Sequence, residues 1–397
     1  MSPQIKNLLT AFLLMALAGS AFIAGFFTND FIELRSGSGT LVRERQPFDL
    51  FWEAWERISE NFIGELPDDT AFTYGAIRGV VGLLDDPYTV FIEPAIRDQE
   101  RDTLRGTFGG IGAYLRRPDE GGDILIEPIP GNPAEMAGIL FGDVLVAVDG
   151  VAVTPEMTVE DVVNMIRGEK GTAVTLTVIH PGSTDPVEID VERDDILIPS
   201  VSYRLLDAER PIGYVQLSRF SGESGNEIHA ALTALLADGA EAFVLDLRQN
   251  GGGLLDAAVS VADHFLRGGP VVIQQSRTSG ETVLEATTET LVPDLPLVVL
   301  IDGGTASASE ILAGALRDRG RATLIGQKSF GKGSVQLVFD LSDGSSVHVT
   351  SARWLTPDRS AIDQLGLEPD IPVTITQEAI DNGRDETLER AVDFLLE

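Results

Sequence analysis

Ser307 stands where a strand-like pattern changes to a helical one, and a serine at such a point either caps a helix or acts as a nucleophile. The run LVVLID (297–302) predicts a buried strand, the two glycines after it predict a tight turn, and residues 307–319 predict a helix. Ser307 and Glu310 have the spacing of a capping box, so capping alone explains the serine. The same position also exposes the hydroxyl at a sheet edge, where the helix N-terminus and nearby N–H groups can stabilise an oxyanion. The local pattern leaves both interpretations open.

A nucleophilic serine needs a base, and Lys332 is the candidate because none of the four histidines stands in a suitable motif. A lysine acts as a base only when burial lowers its pKa, since a solvated amine stays protonated at neutral pH. The glycines of FGKG (330–333) allow the backbone to bend and carry Lys332 inward. Gln336 lies on the same side of an extended chain, but four residues of strand span about 13 Å. Lys332 and Gln336 therefore meet only if the chain bends.

Residues 101–195 combine glycines with short β-type runs and two helical stretches. Strands are predicted in GTFGGIGAYL, DILIEPI, DVLVAVDG and AVTLTVIH, and helices in PAEMAGI and TVEDVVNMIRG. This order is similar to that of a PDZ domain, and GNPAEMAGILFGDVLVAVDGVAV makes the similarity specific. Gly110, Ile111 and Gly112 stand where such a domain binds a peptide carboxylate through successive backbone N–H groups, while the next strand pairs with the peptide.

Apolar runs of five or six residues alternate with helical stretches in residues 196–397. The runs GYVQL, AFVLDLR, PVVI and LPLVVLID predict strands, and helices are predicted near residues 225–237, 254–267 and 307–319. Continuous apolar strands separated by helices are typical of an α/β layer that is buried on both faces. We therefore predict an α/β (α+β multidomain) chain in which the PDZ-like block of residues 101–195 precedes the main core of residues 196–397.

The N-terminal residues predict an exported or anchored protein. Lys6 precedes Leu8–Phe27, an uncharged apolar run of about twenty residues, which as a helix spans roughly 30 Å, the thickness of a bilayer core. A buried core helix is the less favoured alternative. The run is either a cleaved signal peptide, with Ala16–Leu17–Ala18 as the candidate cleavage site, or a single transmembrane anchor. The anchor is favoured because the apolar run continues past that site. We assign residues 1–29 to this segment, residues 30–46 to a polar tether, and residues 47–100 to a small helical region with an aromatic stripe from Phe48. The rest of the chain would lie on the non-cytoplasmic side.

The composition excludes several classes of function. The 397 residues carry a formal net charge of −33, which disfavours sequence-independent binding to nucleic acid. The chain has no cysteine, which excludes disulfides, thiolate metal sites and cysteine nucleophiles. His180, His229, His264 and His348 form no metal-binding motif, so we expect neither a metal nor a cofactor.

Several unlinked motifs, in the same order, resemble those of the carboxy-terminal processing peptidases, also called tail-specific proteases. They are LLDDPYTVFIEP, the PDZ-like block, IGYVQLSRFS, AFVLDLRQNGGGLL, GGTASASEILAGALRDRGRATLIGQKSFGKGSVQ and LTPDRSAIDQLGLEPDIPV, and together they extend over nearly the whole chain. The resemblance implies a crotonase-like α/β peptidase core with an inserted PDZ domain. The turn QNGGG, where NPGG is common, and TASAS in place of SASAS are small departures that delete no catalytic group.

The resemblance also implies roles for individual residues. Ser307 corresponds to the nucleophile, Lys332 to the general base and Gln336 to the residue that orients the lysine. The oxyanion hole falls on Gly252 or Gly253 together with Ala308. Ser309 would be helical filler, although a slip of the alignment exchanges the two serines. Asp318 matches an acidic position of the family. We expect it to pair with Arg317, Arg319 or Arg321, and a direct chemical role is the less favoured alternative.

The implied activity is that of a serine endopeptidase whose substrates are proteins with exposed, apolar C-terminal tails. Two alternatives are an inactive PDZ scaffold, which the intact serine, lysine and glutamine disfavour, and a histidine-triad PDZ protease, which needs an all-β core and a suitably placed histidine. The chain could also form a homo-oligomer or bind an adaptor protein. It would contact the membrane through its N-terminal segment.

Overall fold

The computed structural model describes residues 46–118, 122–206, 210–288 and 290–397. The predicted membrane segment and nearly all of the predicted tether lie outside the described residues. Within these ranges, no helix has both the length and the apolar character needed to cross a bilayer. The chain divides between Ala76 and Ile77 into two units.

The described residues of the first unit lie mainly in two helices, as the aromatic stripe predicted. Its helices are α1 (Gln46–Asn61) and α2 (Asp69–Val81), of which the second continues across the boundary. Phe51, Trp52 and Trp55 of α1 pack against Phe72 of α2, with the ring centroids of Trp55 and Phe72 4.1 Å apart. The second helix is followed by a 3₁₀ turn, Gly82–Leu84, which ends where Asp85 adopts a left-handed conformation (φ 51°).

The second unit begins with a strand and a helix that lead into the predicted PDZ-like block. Its first elements are β1 (Val90–Ile92), α3 (Pro94–Arg105), β2 (Thr107–Gly110), β3 (Ala113–Arg116), β4 (Ile124–Pro128), α4 (Pro133–Ala137), β5 (Asp143–Val148), β6 (Val151–Ala152), α5 (Val159–Ile166), β7 (Ala173–Ile179), β8 (Val187–Glu192) and β9 (Asp194–Leu197). Strands β3, β4, β5, β7 and β8 form an antiparallel sheet in that order, with β6 against β5. Ile126, Val162 and Leu176 lie in its core, and β2 pairs with β9 as a separate ribbon. The predicted strands and helices occur in the predicted order, but GTFGGIGAYL is divided into β2 and β3, and β6, β8 and β9 were not predicted.

The main core follows and contains a six-stranded sheet. The remaining elements are β10 (Val201–Leu206), β11 (Ile212–Leu217), α6 (Ser224–Ala237), β12 (Ala242–Asp246), α7 (Leu255–Asp263), β13 (Gly269–Ser276), β14 (Gly280–Ala286), β15 (Leu297–Ile301), α8 (Ala308–Asp318), β16 (Thr323–Gly326), β17 (Ser334–Asp340), β18 (Ser346–Leu355), β19 (Ile371–Pro372), α9 (Gln377–Asp381) and α10 (Glu386–Leu396). The strand order is β10-β11-β12-β15-β16-β19, and all pairs except β10–β11 are parallel.

Both faces of this sheet are buried, which confirms the predicted α/β layer. Leu245 and Val299 belong to the large cluster that includes apolar residues of α6, α7 and α8. Val244 and Val298 point to the opposite face, where α10 covers them. Strands covered on both sides are expected to be continuously apolar, and the sequences of these strands are.

A second, antiparallel sheet has the order β1-β18-β13-β14, with β17 also paired to β18. The predicted strand PVVI lies in β13 and therefore in this sheet rather than in the parallel one. Val90–Ile92, from the range assigned to the helical region, pairs with residues 346–348 of β18. Pairing over such a distance along the chain depends on tertiary packing, which the local pattern of residues 47–100 does not encode.

The carboxyl end of β12 is fixed by a buried ionic network. Asp246 is 1% exposed and accepts hydrogen bonds from the Tyr214 hydroxyl (2.8 Å) and from Arg248. Arg248 also bonds to Asp385, the residue that caps α10. A charged pair removed from water is kept only with such complete bonding. The network holds the start of the glycine-rich turn that follows.

Candidate active site

Two turns lie side by side at one edge of the main sheet. Strands β12 and β15 are parallel neighbours, so the turns that leave their carboxyl ends meet at the same edge. The Thr305 hydroxyl donates to the Leu247 carbonyl (2.9 Å), and the Ala306 N–H donates to the Asn250 carbonyl (3.0 Å). The serine turn is therefore bonded directly to the glycine turn.

Ser307 adopts a backbone conformation that is uncommon for a residue with a side chain. Its φ and ψ are 56° and −117°, at the junction between β15 and α8. Strained conformations of this kind persist where the surrounding structure enforces them, and they concentrate at functional sites. Ser307 lines a cavity of about 260 Å³. Ser309, by contrast, is fully buried and donates to the Asn250 carbonyl (2.8 Å), so of the two serines it is Ser307 that faces the cavity.

The glycine turn needs glycine because other backbone approaches it closely. A Cβ atom added to Gly252, whose φ is +103°, would lie 2.8 Å from the Ala306 carbonyl oxygen and 2.9 Å from Ser307 Cβ. A Cβ atom on Gly253 would lie 2.0 Å from the Phe220 carbonyl oxygen. All three distances are shorter than the contacts that real Cβ atoms make, so a side chain at either position would clash. A simple strand-to-helix turn therefore does not account for this pair of glycines.

Two backbone N–H groups of these turns are available to a ligand. The Gly252 N–H donates to Asn250 Oδ1 (2.9 Å) and is already used. The N–H groups of Gly253 and Ala308 have no hydrogen-bond partner in the described part of the chain, and both residues line the cavity with Ser307. Of the three residues suggested for an oxyanion hole, Gly253 and Ala308 therefore have N–H groups available as donors. Gly252 provides the close packing beside the serine.

Glu310 joins the serine turn to the loop that carries Lys332. Its side chain is fully buried, and Oε2 accepts from the N–H groups of Ser307 and Lys332, both at 2.9 Å. Oε1 accepts from the Gly331 N–H (2.7 Å) and the Ser329 hydroxyl (2.5 Å). Sequence analysis identified Glu310 only as the partner of Ser307 in a capping box. The structure extends that motif to a loop about twenty residues further along the chain.

Lys332 and Gln336 meet because the chain bends between them. Lys332 Nζ donates to Gln336 Oε1 (3.2 Å), and Gln336 Nε2 donates to the Tyr88 carbonyl (3.1 Å). Gly331 has a φ of +95°, and the pairing of β17 with β18 shifts register between Val335 and Gln336. Gly331 stands just before Lys332, whereas the register shift lies between Lys332 and Gln336 and provides the bend that an extended strand lacks. The Tyr88 carbonyl in turn fixes the glutamine amide with its oxygen toward the amine.

The surroundings of Lys332 lower the pKa of its amine. Burial lowers the pKa of the amine, and the charge of Glu100 opposes this by raising the pKa. Nζ lies 5.1 Å from the centroid of the Tyr88 ring. The amine bonds to Gln336 and no hydrogen bond connects it to the Ser307 hydroxyl in the described structure, although both residues line the same cavity.

Other residues at this cavity had no indication in the sequence. Glu100 from α3 and His348 and Trp354 from β18 also line it. No local pattern marks them, because they come from segments that lie far apart along the chain. Asp318 is not among the lining residues and pairs with Arg317, one of the arginines suggested for it. Across the described ranges, no group of three or more histidine, aspartate or glutamate side chains could hold a metal ion.

A second concave surface lies between β3 and α5 of the PDZ-like block. It encloses about 390 Å³ and is lined by apolar side chains that include Leu115, Val163 and Ile166. Gly110, Ile111 and Gly112 lie at this groove, and the N–H groups of Ile111 and Gly112 have no partner among the described residues. β3 is an edge strand of the described sheet, so it can pair with an added strand.

Comparisons with known proteins identify the family and the domains of the chain. The family described as "Peptidase family S41" matches residues 211–373, and "PDZ domain" matches residues 126–179. The "Carboxy-terminal-processing protease" of Bartonella bacilliformis is 35% identical over 360 residues, which cover 89% of this chain and 81% of that protein. The "Carboxyl-terminal-processing protease" of Synechocystis sp. is 37% identical over 320 residues, with 80% and 74% covered. Among solved structures, the "photosystem II D1 C-terminal processing protease" is 36% identical with a TM-score of 0.47, and the match covers 80% of this chain and 86% of that one.

Proposed function

The chain belongs to the carboxy-terminal processing peptidases of family S41, and from this premise we propose that it is a serine endopeptidase with a Ser307–Lys332 dyad. One observation carries the assignment. Ser307 lines a single cavity with the half-buried amine of Lys332 and with two unbonded N–H groups, those of Gly253 and Ala308. A nucleophile, a base of lowered pKa and an oxyanion site are the three parts that acyl transfer requires.

In the proposed reaction, neutral Lys332 removes the hydroxyl proton while Ser307 Oγ attacks the carbonyl carbon of the scissile peptide bond. The oxyanion that forms accepts hydrogen bonds from the N–H groups of Gly253 and Ala308. The lysine ammonium then gives its proton to the departing amine, which leaves an acyl-enzyme. Water, deprotonated by the same lysine, hydrolyses the ester and restores Ser307. Gln336 holds Nζ between turnovers, and the amine must turn from Gln336 toward Ser307 to begin the reaction.

Lys332 is the proposed base although His348 lines the same cavity. The Glu310 carboxylate binds the backbone N–H groups of both Ser307 and Lys332, so the nucleophile and the lysine share one support. His348 lies on a different sheet element, with Nε2 3.2 Å from Glu100. Because Glu310 supports both Ser307 and Lys332, we favour Lys332 over His348 as the base.

We further propose that the groove between β3 and α5 binds the C-terminal tail of the protein substrate. The unbonded N–H groups of Ile111 and Gly112 would hold the terminal carboxylate, and the peptide would extend β3 as an additional strand. The apolar lining that includes Val163 and Ile166 suits apolar side chains near the terminus.

Substitution of either member of the dyad is expected to abolish cleavage. With an unfolded protein that ends in apolar residues as substrate, Ser307→Ala and Lys332→Ala should each lose activity by roughly a thousandfold or more, because the two groups act as a unit. Lys328→Ala is the matched control, since that lysine is 54% exposed and pairs with Glu368 on the surface. Products are identified by mass spectrometry.

Three outcomes would contradict the dyad, one of which requires the His348→Gln variant in the same assay. Full activity of Ser307→Ala would shift the nucleophile to another serine. Loss of activity in His348→Gln, with activity kept in Lys332→Ala, would make the histidine the base. A parent chain that binds tails and cuts none would be a PDZ scaffold.

Tail binding is expected to depend on the apolar wall of the groove and on a free terminal carboxylate. In the non-cleaving Ser307→Ala chain, Val163→Asp should weaken binding of an apolar-ended peptide by about tenfold or more, because it removes apolar contact and repels the carboxylate. Asn164→Asp places the same charge on the adjacent, exposed position of α5 and is the control. Fluorescence anisotropy measures both. Equal binding of a C-terminally amidated peptide would contradict carboxylate recognition.

We also propose that the catalytic part is exported or anchored at a membrane. The support is the uncharged run of residues 8–27 behind Lys6. Fractionation of cells that produce the full chain should recover it with membranes or with exported proteins. Recovery in the cytosolic fraction would contradict the proposal.

A further inference from the structure

A second cluster of ionisable groups lies at the candidate active site. Glu100 of α3 is held by Arg97 one turn earlier, with Arg97 Nη1 3.0 Å from Glu100 Oε2. His348 Nε2 of β18 lies 3.2 Å from the same oxygen but lacks hydrogen-bond geometry, and it has no other partner among the described residues. Arg97 also bonds to Asp340 (2.9 Å). The Glu100 carboxylate is thus fixed in place by groups that do not take part in the proposed reaction.

This cluster and Lys332 face the same cavity. Glu100 and His348 line it together with the lysine and Ser307. The other groups around the amine come from separate elements: the Tyr88 ring precedes β1, Gln336 lies on β17, Asp363 packs against Gly333, and Glu310 of α8 is engaged by four donors. Asp340 is shared between Arg97 and Arg101 on the far side of the cluster. Glu100 is thus a carboxylate at the cavity with no role in the proposed chemistry.

The charge of Glu100 opposes the effect of burial on Lys332. Burial lowers the pKa of the amine, whereas the Glu100 carboxylate raises it by favouring the ammonium form. His348 does not neutralise Glu100, because burial lowers the pKa of the histidine and favours its uncharged state. Arg97 divides its charge between Glu100 and Asp340. A negative charge therefore remains directed at the cavity that holds the amine.

We infer that Glu100, held by Arg97 beside His348 at the cavity that Lys332 lines, is a positioning residue that restrains the peptidase at low pH. The inference rests on the proposed function, since it concerns how much of the lysine is available as a base. The effect inferred for Glu100 is opposite to that of a residue that supports catalysis, because the Glu100 charge lowers activity at low pH. Removing its charge should increase activity under mildly acidic conditions rather than reduce it.

The test is the pH profile of kcat/KM for the full chain and its Glu100→Gln variant. The acidic limb reports the deprotonation of the base in the free enzyme. Without the carboxylate, the amine loses its proton at lower pH, so the limb should move to lower pH. On that limb kcat/KM should rise on the order of threefold to tenfold, while the alkaline plateau stays in place. Asp98→Asn is the matched control, because Asp98 lies on the same helix, is 70% exposed and pairs only with Arg101 in the described structure.

A direct titration of the amine separates failure of this inference from failure of the proposed function. The chain contains four lysines, so ¹³C-labelled lysine gives few Cε signals, and the Lys332 signal is the one absent from Lys332→Met. Its titration midpoint should move to lower pH in Glu100→Gln and stay unchanged in Asp98→Asn. An unmoved midpoint, or a uniform loss of kcat/KM at every pH, would overturn the role of Glu100. A parent chain without peptidase activity but with the expected NMR shift would overturn the proposed function and leave the effect of Glu100 on Lys332 established.

Discussion

The carboxylate of Glu310 is the interaction on which the candidate site depends. It receives hydrogen bonds from the turn of Ser307 and from the loop of Lys332, and its side chain is shielded completely from water. A buried carboxylate is costly unless it is fully bonded, and each oxygen here accepts from two donors. The same bonds that satisfy the charge also fix the distance between the two segments. The Phe330 N–H also donates to the Thr305 carbonyl (3.0 Å) and is a second link between the two segments. Glu310 contributes four bonds to the same junction, so the geometry of the proposed nucleophile and base depends strongly on this side chain.

The sheet supplies the other fixed reference for the site. Two adjacent parallel strands end at one edge, and the bonds from Thr305 and Ala306 lock their turns together. Gly252 lets the serine turn approach, and the side chain of Asn250 accepts from the Gly252 N–H. Gly253 lines the cavity, and its N–H has no partner among the described residues. The conformation of Ser307 is therefore imposed from both sides. Such preorganised donors need no rearrangement when charge develops, which is why they are effective in acyl transfer.

Local sequence pattern predicted most elements but few of the contacts between them. The strand and helix around Ser307 followed from hydrophobic periodicity, and the need for a bend between Lys332 and Gln336 followed from strand geometry alone. The bulge that provides the bend, and the second role of Glu310, depend on segments that meet only in the folded chain. Glu100 left no signal at all, since a glutamate on an amphipathic helix has the same local pattern whether it faces solvent or a cavity. Family resemblance supplied the identities of the candidate residues, and packing supplied the reasons for them.

The most direct test of this account is the steady-state kcat/KM of Glu310→Gln, with Glu389→Gln, a change at a surface ion pair, as its control. Glutamine keeps the size of the side chain but replaces one acceptor oxygen with a donor, so two of the four bonds must break. We expect kcat/KM to fall by about a hundredfold, which corresponds to the loss of one or two hydrogen bonds to a charged group. The variant should remain folded, as judged by its circular dichroism. A folded Glu310→Gln chain with the kcat/KM of the parent would show that the carboxylate does not hold the site together.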